Sequence, residues 1–277
     1  MERRPAGEAW PSDVRAENVT GQAELLGFAA GALIAMATAP VGVSGAVFLL
    51  PVQLSLLHVP SPAVTPTNLL FNVVAGPGAL VRYHRQGTLA GPLTRLLVAG
   101  TLPGVVAGAL IRVYAVPGPA VFRALVAALL LPLGLWLCAR TLRPPQDHAG
   151  RPSTRFVTTL ALGVGTIGGI YGIGGGSLLG PILAGRGMPI TEVAPAALAS
   201  TFLTSVTGAS AYAALSLTAH GDIAPDWALG LTCGLGGLVG GYAGARLQPR
   251  LPETALRLTL GLLATALAAL YLVQAVT

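Results

Sequence analysis

Apolar residues run along this chain in long blocks, and polar residues gather in the joints between them. The blocks span 25–39, 46–57, 63–81, 89–111, 120–139, 156–171, 177–184, 194–217, 227–245 and 254–273. Several reach the ~20 residues that a helix needs to cross a bilayer. None shows the strict alternation of a half-buried strand. Blocks 25–39 and 46–57 are short, and so are 156–171 and 177–184; in each pair a glycine cluster separates the two. Each pair reads either as one kinked span or as a re-entrant hairpin whose tip reaches mid-membrane. The pattern predicts an all-α membrane protein, a polytopic helical bundle.

The glycine clusters carry the candidate chemistry. The second reads Ile170-Tyr171-Gly172-Ile173-Gly174-Gly175-Gly176-Ser177-Leu178-Leu179-Gly180-Pro181. A weaker copy, Gly42-Val43-Ser44-Gly45-Ala46-Val47-Phe48-Leu49-Leu50-Pro51, lies 130 positions earlier. In hydrocarbon every backbone N–H and C=O needs a partner, so non-helical backbone is tolerated only inside protein or along a cavity. Such a break exposes helix N-terminal N–H groups, which can hold a small anion. Close helix packing alone asks for small residues one turn apart, whereas Gly174-Gly175-Gly176 is contiguous. A nucleotide-binding glycine loop would need a strand and a lysine, and neither accompanies it.

Further landmarks recur: Pro51 with Pro181, Pro60 with Pro189, Gly87 with Gly221, Arg112 with Arg246. They predict two homologous repeats, 25–141 and 156–277, joined by a basic loop at 142–155 and preceded by a polar arm at 1–24. The arm lacks the pattern of a signal peptide and reads as disordered or surface-lying.

Composition agrees with a membrane bundle: 9% of residues are charged and 53% hydrophobic, against about 25% charged in a soluble domain. The net charge of +6 comes from arginine alone, since the chain has no lysine. The arginines sit at the ends of apolar runs rather than in a stripe with aromatics, which excludes nucleic acid as a partner and points to orientation in the bilayer. Arg82 and Arg85, the four arginines of 140–155, and Arg246 with Arg250 define three cytoplasmic loops. If each glycine break returns the chain to its starting side, the 218–226 turn and both termini fall outside, and the repeats are inverted. If each break lies in one continuous span, the repeats are parallel. Cys138 and Cys233 lack metal or redox spacing, so no metal or cofactor is expected.

The substrate-binding candidates are Gly42, Ser44 and Gly45 in the first break, and Gly172, Gly174, Gly175, Gly176 and Ser177 in the second. Early in the apolar blocks that follow stand Thr67, Asn68 and Asn72, and Ser200 and Thr201 with Thr204 and Ser205. Thr67 and Asn68 match Ser200 and Thr201 if the second repeat holds about one extra helical turn after Pro189. These side chains either complete an anion or cation site or form interhelical hydrogen bonds of roughly 0.6–2 kcal/mol. No Asp, Glu or His sits at the centre of a long apolar block, so no intramembrane proton relay is expected; His84 and Arg85 could serve at a mouth.

A Gly-x-Gly-Gly-Gly break closing on proline, a following helix opening with Thr-Asn or Ser-Thr, a short turn ending in Gly87, and duplication of the whole resemble the TauE/SafE sulfite exporter family. The resemblance covers roughly 25–275. It is full at Gly172–Pro181, whereas Gly42–Ala46 departs by two glycines and offers the Ser44 hydroxyl instead. It implies an integral membrane permease, not an enzyme, in the cytoplasmic membrane. Such a permease moves sulfite, a sulfonate or a related small anion, with a proton or sodium ion as possible coupling partner. Two other readings compete. Gly42-Val43-Ser44-Gly45 resembles the Gly-x-Ser-Gly of rhomboid proteases, with Ala219-His220 offered as the base, although a serine nucleophile needs a histidine within hydrogen-bond reach. A channel or scaffold is the other.

Overall fold

A computed structural model of the chain describes residues 12–55, 61–114, 152–217 and 225–276, with parts of 127–142. Arg3, Arg4, Pro60, most of the 142–155 loop and Ala219 to Asp222 lie outside the described residues. Among those described, the structure is all-helical. The helices are α1 (Ser12–Thr38), α2 (Ala46–Ser55), α3 (Ser61–Arg85), α4 (Pro92–Tyr114), α5 (Thr154–Tyr171), α6 (Leu179–Gly185), α7 (Ile190–Ser216), α8 (Trp227–Leu247) and α9 (Glu253–Val276). Helical residues between 127 and 141 pack on α9, Gly134 and Cys138 meeting Gly261.

The helices overrun the apolar blocks because polar flanks extend them. α1 starts at Ser12, so residues 12–24 are helical and continuous with the apolar block that follows. Ser153 accepts the Phe156 N–H at 3.3 Å to start α5, and Asp226 accepts the Leu229 N–H at 3.0 Å to start α8; each side chain satisfies one orphan donor of a first turn. Five stretches among the described residues are long and apolar enough to cross a membrane: Ala23–Val41, Ala63–Arg85, Pro92–Tyr114, Trp227–Arg250 and Glu253–Val273. Large apolar side chains face outward on them, Leu33, Val239 and Leu262 each more than half exposed. The interior is built of small residues. Gly236, Gly240 and Gly244 of α8 lie on the α1 backbone at Phe28, Ala32 and Met36, and Gly100, Gly104 and Gly108 of α4 lie on α5. A Cβ at Gly104 or Gly240 would strike a carbonyl of the neighbouring helix, the close approach that holds membrane helices together without a hydrophobic driving force.

These contacts fix the directions of the helices. Phe28, Ala32 and Met36 meet α8 in ascending order, and so do Leu70, Val74 and Ala79 of α3, so α1, α3 and α8 run parallel. α4 and α5 are parallel to each other by the same test. α3 and α7 are antiparallel, with Gly76 on Phe202 and Leu69 on Gly208. α2 leads back to the end where α3 begins, and α6 leads back to the end where α5 and α7 begin, Arg186 lying 4.4 Å over the Phe156 ring there. Each break therefore returns the chain to the side it came from. One end of the bundle gathers Arg82, Arg85, Arg95, Arg155, Arg186, Arg246, Arg250 and Arg257, leaving only Arg15 and Arg112 of the described arginines at the other.

Two tyrosine hydrogen bonds occupy matching places. Tyr83 Oη donates to Ala39 O at 3.0 Å, and Tyr212 Oη donates to Gly169 O at 2.9 Å. The tyrosines are 129 positions apart and the acceptors 130. An offset of 129 sets Asn72, rather than Asn68, against Thr201. Tyr83→Phe and Tyr212→Phe each leave a buried carbonyl without its partner at a cost of about 1 kcal/mol. Each is expected to lower the melting temperature in detergent by about 2–4 °C, which differential scanning fluorimetry checks.

Candidate functional site

The first break begins where α1 tightens into a 3-10 turn at Ala39–Val41 and stops at Gly42, whose φ of 76° is the left-handed conformation that glycine adopts freely. Val43 N–H returns to Thr38 O at 3.2 Å. Ser44 then caps α2: its Oγ accepts the Ala46 N–H at 3.1 Å and donates to Asn72 Oδ1 on α3. One turn earlier on α3, Asn68 Nδ2 donates to Ala46 O at 3.2 Å.

The second break has the same opening, with Gly172 at φ 70° and Gly174 at φ 73°, but a different filling. Gly175 N–H donates to Thr204 Oγ1 at 2.9 Å, and Ser177 Oγ donates to Ile173 O at 2.5 Å. Gly174 and Gly176 lie against Thr201, and a Cβ at Gly176 would collide with the Ala197 carbonyl. The triple glycine thus lets α7 press onto an irregular backbone.

The two breaks meet through reciprocal contacts. Gly42 sits on α7, where its Cβ would fall 2.5 Å from Ala194 Cα, and Gly172 sits on α3 against the Thr65 carbonyl. Asn72 joins them, since its amide takes the Ser44 hydroxyl on one side and points Nδ2 at Gly172 O, 3.5 Å away, on the other. Beside this junction, at the N-terminus of α2, lies a cavity of about 40 Å³ between α1, α3, α7 and α8. Thr38, Ser44, Asn72 and Thr201 give it polar wall, and Phe71 and Phe202 apolar wall. It occupies the half of the bundle nearer the arginine-rich end, since it is lined by the last residues of α1 and by Ala79 of α3.

Three buried hydroxyls here have no hydrogen-bond partner: Thr38 Oγ1, Thr201 Oγ1 and Ser205 Oγ; Asn68 Oδ1 is a fourth such atom. Thr204, on the same helix, donates to Ser200 O at 2.7 Å, the back-bond that normally satisfies a helical hydroxyl. Thr201 and Ser205 forgo it and lie beside Gly176 and Gly174. An unsatisfied buried polar group costs about 1–3 kcal/mol; Thr38 and Thr201 are in the cavity wall, and Ser205 is not.

Of the residues singled out from sequence, Ser44, Gly45, Asn72 and Thr201 line the cavity. Gly42, Gly172, Gly174 and Gly176 shape the backbone around it. Ser177 faces a smaller void of about 10 Å³ between the breaks, opposite Val43 and Val47. Thr67 and Ser200 are occupied elsewhere: Thr67 Oγ1 accepts the Asp226 N–H at 2.9 Å, and Ser200 Oγ pairs with Thr101 Oγ1 of α4 at 2.8 Å. Sequence reading passed over Thr38, Phe71 and Phe202. Thr38 carries a signal in retrospect, as a hydroxyl one turn before the glycine that ends α1. The two phenylalanines look like any lipid-facing residue until the helices are placed.

A bundle of membrane-crossing helices, with two broken helices joined beside a small, mostly apolar cavity that holds a few polar side chains, defines an integral membrane protein built like a permease. The profile of the family described as sulfite exporter TauE/SafE matches residues 26–271. The chain belongs to that family, and its members are membrane transporters. No curated protein and no solved structure matches the chain.

Proposed function

We propose that the protein is a secondary transporter that carries sulfite or a small sulfonate across the cytoplasmic membrane, by alternating access around the cavity at the paired breaks. The observation that carries this reading is the set of unpartnered hydroxyls of Thr38, Thr201 and Ser205 beside broken backbone. Thr38 and Thr201 share the cavity wall with Gly45 at the N-terminus of α2, and a free hydroxyl can donate to an oxyanion. The cavity has room for about three water positions, judged at 10–15 Å³ each, the scale of an oxyanion with few atoms.

In this reading residues 25–141 and 156–277 are inverted repeats, with the polar arm 1–24 before them and the basic loop 142–155 between. Three features support it: the matched tyrosine bonds, the exchanged contacts of Gly42 and Gly172, and the opposite directions of α3 and α7. Inverted repeats around a midplane site are the construction from which rocking between two open states follows. The arginine-rich end is the cytoplasmic one by the excess of positive charge, so the cavity lies nearer the cytoplasm. A proton or sodium gradient is the expected driving force.

A serine-protease reading of Ser44 fits poorly with its partner. The Ser44 hydroxyl donates to an amide oxygen, and an amide is too weak a base to activate a serine near neutral pH.

The test is sulfite flux into liposomes holding the purified protein, measured against concentration. Saturable flux is expected. Flux linear in concentration would favour a channel, and absence of flux for sulfite and small sulfonates alike would overturn the reading.

A further inference from the structure

We infer that the species carried is the singly charged form of the anion: hydrogensulfite rather than the sulfite dianion, and sulfonates because they are permanent monoanions. The inference rests on the transport reading above and narrows it to a charge state.

Every described residue lining the cavity is neutral. The acidic, arginine and histidine residues on the four lining helices are Asp13, Arg15, Glu17 and Glu24 on α1, Arg82, His84 and Arg85 on α3, Glu192 on α7, and Arg246 on α8, with Asp226 capping α8; neither these nor Tyr83, Tyr212, Cys233 and Tyr242 line it. A buried ion without a counter-charge is held only by dipoles. The Thr38 and Thr201 hydroxyls supply two free donors, and the wall holds both Gly45 at the N-terminus of α2 and Thr38 with Ala39 at the C-terminal end of α1, whose opposite helix dipoles largely offset each other. Such neutral donors hold a monoanion more readily than a dianion, because the cost of desolvating an ion in a continuum rises with the square of its charge, about fourfold here. A hydroxyl also accepts a hydrogen bond, so a threonine can hold the proton that the monoanion keeps and the dianion lacks.

Sulfite changes between these two forms near neutral pH, while methanesulfonate stays a monoanion, and this pair makes the test. Purified protein in liposomes with equal pH on both faces is assayed by counterflow at fixed total sulfite from pH 6 to pH 9, with methanesulfonate in parallel. Sulfite flux is expected to follow the hydrogensulfite fraction, falling about tenfold for each unit above the acid's own pKa, while methanesulfonate flux stays level. At the alkaline end methanesulfonate should compete with sulfite, and sulfate should not. Sulfite flux that stays level or rises with pH, or competition by sulfate equal to that of methanesulfonate, overturns the charge-state inference and leaves the transporter standing. Equal decline of both fluxes also overturns it, because the pH dependence then belongs to the protein. If neither anion moves at any pH, the transport reading itself fails, and this inference with it.

Discussion

Gly172→Ala is expected to leave little folded protein, and no side-chain change at its neighbour should restore it. Gly172 holds φ at 70°, and a Cβ there would run into the Thr65 carbonyl of α3. The left-handed conformation costs a non-glycine residue roughly 1–2 kcal/mol, and overpacking against rigid backbone adds about 1–3 kcal/mol. Together they consume a large part of the 5–15 kcal/mol or so by which a protein is stable. Gly174→Ala offers the contrast. Its φ is 73°, but the atom its Cβ would strike is the Thr201 methyl. Thr201→Ser removes that methyl and should recover part of the loss. The yield of monodisperse protein and its melting temperature read both cases. Rescue of Gly172→Ala by a small residue at 65 would contradict the packing described.

Asn72→Leu is expected to reduce transport per folded protein by about 10–100-fold and to lower the melting temperature as well. The amide couples the Ser44 hydroxyl of one break to Gly172 O of the other and forms part of the cavity wall. Leucine keeps the volume and removes every polar contact, leaving neutral buried partners unsatisfied at about 1–3 kcal/mol. Because Ser44 and Asn72 act through one bond, Ser44→Ala added to Asn72→Leu should cost little more, whereas independent sites would multiply. Flux per folded protein in single and double variants measures this. Full activity in Asn72→Leu would remove the junction from the mechanism.

Much of the architecture was legible in the chain. A contiguous glycine cluster inside an apolar block reads as a break, because a run of glycines favours leaving the helix, and both clusters do interrupt helices. The contiguous Gly174–Gly176 and the one-turn spacing of Gly236, Gly240 and Gly244 proved to be different devices, one opening a helix and one letting helices touch. The register of the polar residues was not legible. Matching Thr67-Asn68 to Ser200-Thr201 aligned like with like, yet the tyrosine bonds set Asn72 beside Thr201. Nor could sequence tell which hydroxyls are satisfied. Thr201, Thr204 and Ser205 read alike in a row, and only the placement of Gly175 N–H and the Ser200 carbonyl gives Thr204 its partners and leaves the other two without.

The central claim is that the unpartnered hydroxyls of the cavity wait for the transported anion. Equilibrium binding of radiolabelled sulfite to purified protein tests it most directly, comparing the natural chain with Thr38→Val/Thr201→Val. Valine keeps the shape and deletes two groups that have nothing to lose inside the protein, so the double variant should melt no lower than the natural chain. It should also bind sulfite at least about tenfold more weakly, one hydrogen bond to a charged group being worth about 1.5–3 kcal/mol. Unchanged sulfite affinity in a fully folded double variant would put the anion somewhere other than this cavity.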